Sequence, residues 1–159
     1  MTAGEVETVQ VVCFFVGDGQ YALDIMRIKE IIRPVPITRV PLAPTFVEGI
    51  IELRGAFLPI VDLRKRFGIE AAPPSRDARY VVVALEGRII GLLVDRVADR
   101  RRVALSEVSD PPAMAFGADT RFFSGVLKSE GEIVVLLDLD AILSASEKQL
   151  LRGMEAAST

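Results

Sequence analysis

The chain has 159 residues and a formal net charge of −3, and 50% of its residues are hydrophobic. This length suits one domain, or two small lobes that share a core, and the apolar content is ample for burial. The acidic balance argues against a general nucleic-acid binder, because such proteins need a basic face to displace counterions from phosphates.

Missing residue types exclude several kinds of chemistry. Histidine is absent, which removes the commonest general base and the commonest zinc ligand. Cys13 is the only cysteine, so no intramolecular disulfide can form, and its setting VVCFFV predicts a buried side chain. No apolar run approaches the ~20 residues that span a bilayer, and the first ten residues do not resemble a signal peptide. We therefore expect a soluble, intracellular protein.

In chain order, the first half predicts two hairpins and a short helix. The predicted strands are Val9–Val16, Gln20–Leu23, a strand ending at Ile32 after a short turn, Val47–Leu53 and Phe57–Val61. Four prolines between Pro34 and Pro44 predict an extended or looped segment. Asp62 is placed to cap a short helix over Leu63–Phe67.

The second half predicts the same order of elements after a polar linker at 69–78. The predicted strands are Tyr80–Leu85, Ile89–Val94, a charged edge strand over Val97–Val103, Phe122–Lys128 and Ile133–Leu137. A long loop with one short turn is predicted over Ser106–Arg121. Asp138 or Asp140 is predicted to cap a C-terminal helix that ends near Met154.

Hairpins of the two halves match each other, each without an internal gap. A shift of 76 positions places Gly49 on Gly125, Gly55 on Gly131 and Asp62 on Asp138, and a shift of 69 aligns the preceding hairpins. This pattern indicates an internal duplication. It predicts a mostly β fold of two similar five-stranded lobes packed together, the first over about 9–70 and the second over about 79–145, with short helices and a C-terminal helix.

No set of side chains predicts catalysis, a cofactor or a metal. The acidic residues lie at predicted turns, strands and helix caps, no nucleophile has an evident base, and no phosphate-binding loop is present. Without histidine, and with one cysteine, only oxygen ligands remain, and no acidic segment has the spacing of a calcium loop. We therefore expect a protein that is not an enzyme.

Two basic features remain to be explained. The run Arg100–Arg102 suits a solvated edge strand, where charge discourages edge pairing. Arg54 stands in a predicted hairpin turn whose counterpart in the second half is Glu130, so the duplicated fold does not require arginine there. It is either a solvated turn residue or a guanidinium at the rim of a groove, where it would hold a partner's carboxylate or carbonyl groups. Ile28 and Glu30 would belong to the same groove, although Ile28 equally suits the core.

The sequence resembles the CheW family of bacterial chemosensory coupling proteins. The resemblance lies in VVCFFVGDGQYALDIMRIKEII, GIIELRG, PIVDLR and the two hairpin segments of the second half, and it covers about 9–151 as one domain. It implies two five-stranded SH3-like β-barrels and no enzymatic activity. It also implies two partners, the cytoplasmic tip of a chemoreceptor and the regulatory domain of the chemotaxis histidine kinase. The segments 1–8 and 155–159 are expected to be flexible tails.

The resemblance also implies a receptor-binding groove. By position in the family motifs, the groove would contain the following residues: Ile28, Glu30, Gly49, Glu52, Arg54, Gly55, Asp99 and Arg100. Glu52 replaces the family's usual asparagine, and Arg100 replaces an apolar residue, so both departures bear on which partner is bound. Recruitment to membrane-associated receptor arrays is expected, without insertion into the membrane.

The residues leave other functions open. One is a CheW-like adaptor in a pathway that controls pili, gliding or development instead of flagella. Another is an adaptor barrel outside chemotaxis, and a third is a small hydrolase that uses two close carboxylates with raised pKa values. The last is an SH3-like nucleic-acid binder, whose affinity would depend steeply on salt.

Overall fold

The structure is a computed structural model, and it describes residues 7–69, 75–110, 120–129 and 131–150. Within these ranges the chain is mostly β, as predicted. The strands are β1 Thr8–Val16, β2 Gly19–Asp24, β3 Ile28–Ile32, β4 Val47–Leu53, β5 Ala56–Asp62, β6 Arg79–Leu85, β7 Arg88–Val94, β8 Arg96–Ala104, β9 Val108–Ser109, β10 Phe123–Ser129 and β11 Glu132–Leu137. A short helix, α1, covers Leu63–Arg66, and residues 145–150 are helical.

The strands form two sheets. The six-stranded sheet has the order β8-β1-β2-β11-β10-β9, and the five-stranded sheet has the order β3-β6-β7-β5-β4. Each sheet contains one parallel pair, β2 with β11 and β5 with β7, and its other pairs are antiparallel. The two-residue strand β9 lies in the segment that the sequence predicted as a loop.

The predicted boundaries of the two lobes are wrong. Instead of 9–70 and 79–145, the five-stranded sheet is built from β3 to β7, and the first hairpin, β1–β2, joins the strands that follow residue 95. The two repeats thus exchange their first hairpins. The cause is that β3 and β8 leave their own hairpins after a turn and pair with the first strand of the other repeat, β6 and β1. Strand patterns in a sequence report the order of strands and not their partners.

The duplication itself is confirmed at the level of hydrogen bonds. Gly49 and Gly125 both follow an irregularity in strand register. The backbone N–H of Asp62 donates to the carbonyl of Phe46 over 2.7 Å, and that of Asp138 donates to the carbonyl of Phe122 over 2.8 Å. Both pairs are related by the shift of 76, so the repeat extends to the turns between strands.

Three apolar clusters hold the sheets. One lies inside the five-stranded sheet and includes Ile51, Leu58 and Tyr80. Another lies inside the six-stranded sheet and contains Cys13, which is buried as predicted. The largest, the central core, draws on both sheets, with Phe14 from one and Val61 from the other, so each barrel completes its burial against its partner.

The ends of the chain differ from the prediction. Asp138 caps a 3-10 turn at Leu139–Ala141, and the helix begins only at 145. The reason is a capping box, in which Ser144 Oγ accepts from the N–H of Glu147 over 3.2 Å while Glu147 Oε1 accepts from the N–H of Ser144 over 2.7 Å. Residues 7 and 8, predicted as tail, are described with β1, whereas 1–6, 155–159 and the predicted helix end at Met154 lie outside the described residues.

Candidate functional site

Arg54 and Gly55 form the turn of the β4–β5 hairpin. Both have positive φ, 50° and 83°, between the paired residues Leu53 and Ala56. A two-residue turn of this kind matches the twist of the strands and favours Asn-Gly or Asp-Gly. A side chain such as arginine costs roughly 1 kcal/mol in the left-handed region. Glu86 has the same φ of 50° in the β6–β7 turn, so the fold tolerates a long side chain at this position.

Arg54 bridges to β3. Its Nη2 atom makes an ion pair with Glu30 Oε2, and the two side chains are 69% and 29% exposed. β3 and β4 are the opposite edges of the five-stranded sheet. The ion pair therefore joins the hairpin turn to the far edge strand, a contact that is possible because this sheet curls toward a barrel. Such an exposed pair contributes little to stability, ~0–1 kcal/mol.

Gly49 brings a proline-rich segment onto β4. The segment, residues 34–44, is called here the proline strap, and Thr38 exchanges backbone hydrogen bonds with Ile50 over 2.9 and 2.8 Å. Gly49 has a φ of 147°, and a Cβ there would overlap the Thr38 carbonyl and the Ile37 side chain. Glycine is thus required for both its conformation and the close approach.

The proline strap and the hairpin enclose an apolar groove of about 580 Å³. Most of the side chains that line the groove are apolar, and two are charged, one positively and one negatively. The groove is lined by Val35, Pro36, Thr38, Arg39, Val40, Pro41, Ile50, Ile51, Glu52 and Phe57. Neither Arg39 nor Glu52 forms an ion pair with another described side chain. The groove is therefore suited to an apolar partner surface with charges at its margin.

The structure brings six of the eight predicted site residues to one barrel. Glu30, Gly49, Glu52, Arg54 and Gly55 lie on or beside β3 and the β4–β5 hairpin. Ile28, the sixth, begins β3 and packs half-buried against the central core, so part of its side chain belongs to the core.

Asp99 and Arg100 are placed differently. Both lie on β8, in the six-stranded sheet. Asp99 accepts a hydrogen bond from Arg101 over 3.1 Å, and no described hydrogen bond or ion pair connects it or Arg100 to the Arg54 group. Position in the repeat explains this, because Asp99 is the counterpart of Glu30 in the other barrel.

Of the residues that line the groove, the sequence predicted only Glu52 as a site residue. Val35, Val40 and Phe57 were interpreted as parts of a loop and a strand without a role in binding. The available signal was the alternation of prolines with aliphatic residues in the strap, since such a segment is extended and exposes apolar side chains that a solvated loop does not need. The structure agrees with that signal at Leu42, whose side chain is 99% exposed and whose backbone φ is 65°.

A buried charge network ties the hairpin to the other sheet. Arg64, at the start of α1, contacts Asp62 Oδ2 over 3.2 Å and Asp95 Oδ1 over 3.3 Å. Asp95 Oδ2 in turn accepts from the backbone N–H of Gly17 over 2.7 Å, in the β1–β2 turn. Burial works against the charged guanidinium, but the hydrogen bond to Asp62 and the nearby carboxylates raise the pKa of Arg64 overall. The network therefore connects the start of α1 to the β1–β2 turn of the other sheet.

The described residues contain no cluster of three side chains suited to a metal ion. No helix in the described part of the chain is both long and apolar enough to cross a membrane. What the site offers is an exposed guanidinium beside a carboxylate and an adjacent apolar groove. Such an arrangement is chemically suited to contact with a protein surface.

Comparison with known proteins agrees with this geometry. Residues 10–147 match the model of the CheW-like domain. The chemotaxis protein CheW of Rhizobium meliloti is 37% identical over 88% of this chain and 90% of its own, and that of Helicobacter pylori is 34% identical over 86% and 82%.

A solved structure adds to the match. The crystal structure of a CheW scaffolding protein from Thermoanaerobacter tengcongensis superposes with a TM-score of 0.84 at 33% identity, and covers 91% of this chain and 99% of that one. These matches confirm the predicted family and fold, and they place the chain with scaffolding proteins and not with enzymes. The chain belongs to the CheW family.

Proposed function

We propose that this chain couples the cytoplasmic tip of a chemoreceptor to the regulatory domain of the chemotaxis histidine kinase. It catalyses no reaction. It works in the cytoplasm, where the receptor recruits it to membrane-associated arrays, and it needs neither nucleic acid nor insertion into the membrane. The two partners bind different surfaces of the five-stranded barrel.

The observation that carries this proposal is the exposed Arg54 in a turn that disfavours it. Its side chain is 69% exposed, and its guanidinium uses a single Nη2 contact to Glu30. The remaining donors are free to form charge-assisted hydrogen bonds with carboxylates or carbonyl groups of a receptor helix. Glu30, which is 29% exposed, orients the guanidinium and offers a carboxylate to a receptor cation.

The apolar groove supports a second surface, for the kinase. Val35 at its margin is 39% exposed, and Leu42 on the same strap is 99% exposed. Large apolar side chains that the strap exposes to solvent lose water when a partner covers them, which stabilises the complex by roughly 25 cal/mol per Å² of apolar area. The kinase regulatory domain, itself of the same fold, would supply the complementary apolar surface.

The test is a titration of the intact protein with each partner from the same organism, a receptor-tip fragment and the kinase regulatory domain. Arg54→Ala tests the receptor surface and Val35→Asp tests the groove. Ile133→Asp is the matched control, because Ile133 is 45% exposed and lies on β11 in the other sheet. Melting temperatures of all variants are measured first, so that folding and binding are separated.

We expect Arg54→Ala to weaken receptor binding by about tenfold and leave kinase binding intact, as expected for one charge-assisted contact. Val35→Asp should have the reverse selectivity, and Ile133→Asp should change neither. Absence of binding to both partners at high micromolar concentration would contradict the coupling function. Equal losses for both partners in each variant would contradict the assignment of separate surfaces.

A further inference from the structure

The arginine run on β8 has no part in the coupling surfaces described above. β8 is nine residues long and forms one edge of the six-stranded sheet, where β1 is its only partner strand among the described residues. The outward backbone N–H and C=O groups of β8 therefore lack a strand partner within the described ranges. A free edge of this length can accept an added strand.

The three arginines of the run differ in their surroundings. Arg101 is 26% exposed, donates to Asp99 over 3.1 Å and lies 3.6 Å from Glu132, so its charge is already compensated. Arg100 and Arg102 point to the opposite face, because side chains alternate along a strand. Both are exposed, and neither forms an ion pair or side-chain hydrogen bond with another described residue.

The fold does not need this charge. The neighbours of Arg100 and Arg102 on β1 are Val12 and Gln10. At the corresponding positions of the other repeat, a shift of 69, stand Ile31 and Arg33. A single charge is enough to discourage two edges from pairing, yet this strand carries two uncompensated cations on one face.

We propose that β8 is a docking edge for an extended acidic segment of a protein partner. The partner's backbone would pair with the outer edge of β8, and carboxylates at every second residue would meet Arg100 and Arg102. The same cations prevent pairing between two copies of β8, since like charges would face each other. A nucleic acid is a poorer fit, because two cations on an acidic chain, without exposed stacking aromatics beside them, provide little of what single strands require. The inference does not depend on the receptor or kinase.

The test uses the full chain and a fluorescent peptide of alternating glutamate and valine, followed by anisotropy at low and high salt. A peptide of alternating lysine and valine tests the sign of the charge, and an acidic peptide with prolines at central valines tests backbone pairing. The protein variant is Arg100→Gln/Arg102→Gln. Its matched control is Lys29→Gln/Arg33→Gln, which removes the same charge from exposed positions on and after β3.

We expect the acidic peptide to bind, and Arg100→Gln/Arg102→Gln to weaken it about tenfold while the control binds like the native protein. Salt should weaken binding, because the contacts are exposed. The lysine peptide and the proline-interrupted peptide should bind poorly. Lack of binding, equal loss in the control variant, or equal binding of the proline-interrupted peptide would overturn the proposal. Tighter, arginine-dependent binding to oligothymidylate or to phosphatidylserine vesicles would also overturn it.

Discussion

The two barrels bridge an edge strand to a hairpin with ion pairs of opposite polarity. In the five-stranded barrel the acid, Glu30, is on edge strand β3 and the base, Arg54, is in the hairpin turn. In the six-stranded barrel the base, Arg101, is on edge strand β8 and the acid, Glu132, begins β11 after the hairpin turn. Both barrels thus have a charged bridge between an edge strand and a hairpin, although the bridging residues do not occupy equivalent positions of the repeat. Because the second barrel forms its bridge without a base in the hairpin, the fold alone does not require arginine at position 54.

The corners where each repeat turns after its capping aspartate also carry ion pairs of opposite polarity, and these two ion pairs differ in burial. Arg64, after the cap Asp62, meets Asp95, and the two side chains are 6% and 27% exposed. At the matching corner, Asp140, after the cap Asp138, meets Arg27 over 2.9 Å, and these side chains are 36% and 56% exposed for Arg27 and Asp140. The ion pair of Arg64 is largely buried, whereas that of Asp140 is exposed to solvent. The difference predicts how unequally the two corners should respond to substitution.

The largest expected effect is at the buried corner. Arg64→Leu leaves Asp62, which is 1% exposed, without its guanidinium partner. Removing one member of a buried ion pair destabilises by about 3–5 kcal/mol, whereas Arg27→Leu should cost less than about 1 kcal/mol. Urea unfolding of both variants measures the contrast. Equal losses would show that burial does not distinguish the two corners.

The next effect compares the two glycines of the repeat. In Gly49→Ala the new Cβ overlaps the Thr38 carbonyl at an unfavourable φ of 147°, and we expect a loss of about 3 kcal/mol. In Gly125→Ala the Cβ meets mainly the Val108 side chain, which can shift, so about 1 kcal/mol is expected. Thermal or urea unfolding again gives the values. The ranking would be broken if Gly125→Ala were the more damaging change.

A smaller effect concerns the start of the C-terminal helix. Burial opposes ionisation of Glu147, but hydrogen bonds from Ser144 and the contact with Arg66 lower its pKa overall. A carboxylate whose pKa is lowered by folding adds stability above its unfolded pKa and loses it as the pH falls through the folded value. Glu147→Gln should therefore cost about 1 kcal/mol at neutral pH, and this difference should shrink in acid.

The matched control is Glu86→Gln, at a side chain that pairs with Lys148 and is 51% exposed. Urea unfolding of both variants and the native protein across acidic and neutral pH separates the two sites. Glu86→Gln should change stability less than Glu147→Gln. A cost of Glu147→Gln that persisted unchanged in acid would contradict the assigned role of its carboxylate.

Local pattern predicted most of the strands and turns because each is determined by neighbours in the sequence. The alternation around Cys13, the Arg54-Gly55 turn and the Asp62 cap are examples, and the structure confirms all three. The exchange of first hairpins could not be predicted in this way. The exchange depends on two parallel pairings between strands distant in sequence, β2 with β11 and β7 with β5. Because β5 and β11 are similarly apolar, their composition does not show which of them pairs with β2 and which with β7.

Only part of the candidate site could be predicted from the sequence, for the same reason. Glu30 and Arg54 were assigned to one groove by family resemblance, and the structure places them in contact. Asp99 belongs to the other barrel, as its place in the repeat opposite Glu30 already indicated, and the family resemblance alone had assigned it to the groove. The apolar groove depends on the proline strap lying along β4, a contact that requires the missing Cβ of Gly49.

The most direct measurement is the combined stability and receptor affinity of Arg54→Asn. Asparagine suits the turn's positive φ better than arginine, so the free energy of unfolding should rise by up to about 1 kcal/mol. The guanidinium is lost at the same time, so affinity for the receptor tip should fall by about tenfold while the kinase domain binds unchanged. That result, a more stable protein that binds the receptor less well, is what the account predicts. A less stable variant with unchanged receptor affinity would contradict it and make Arg54 a structural residue.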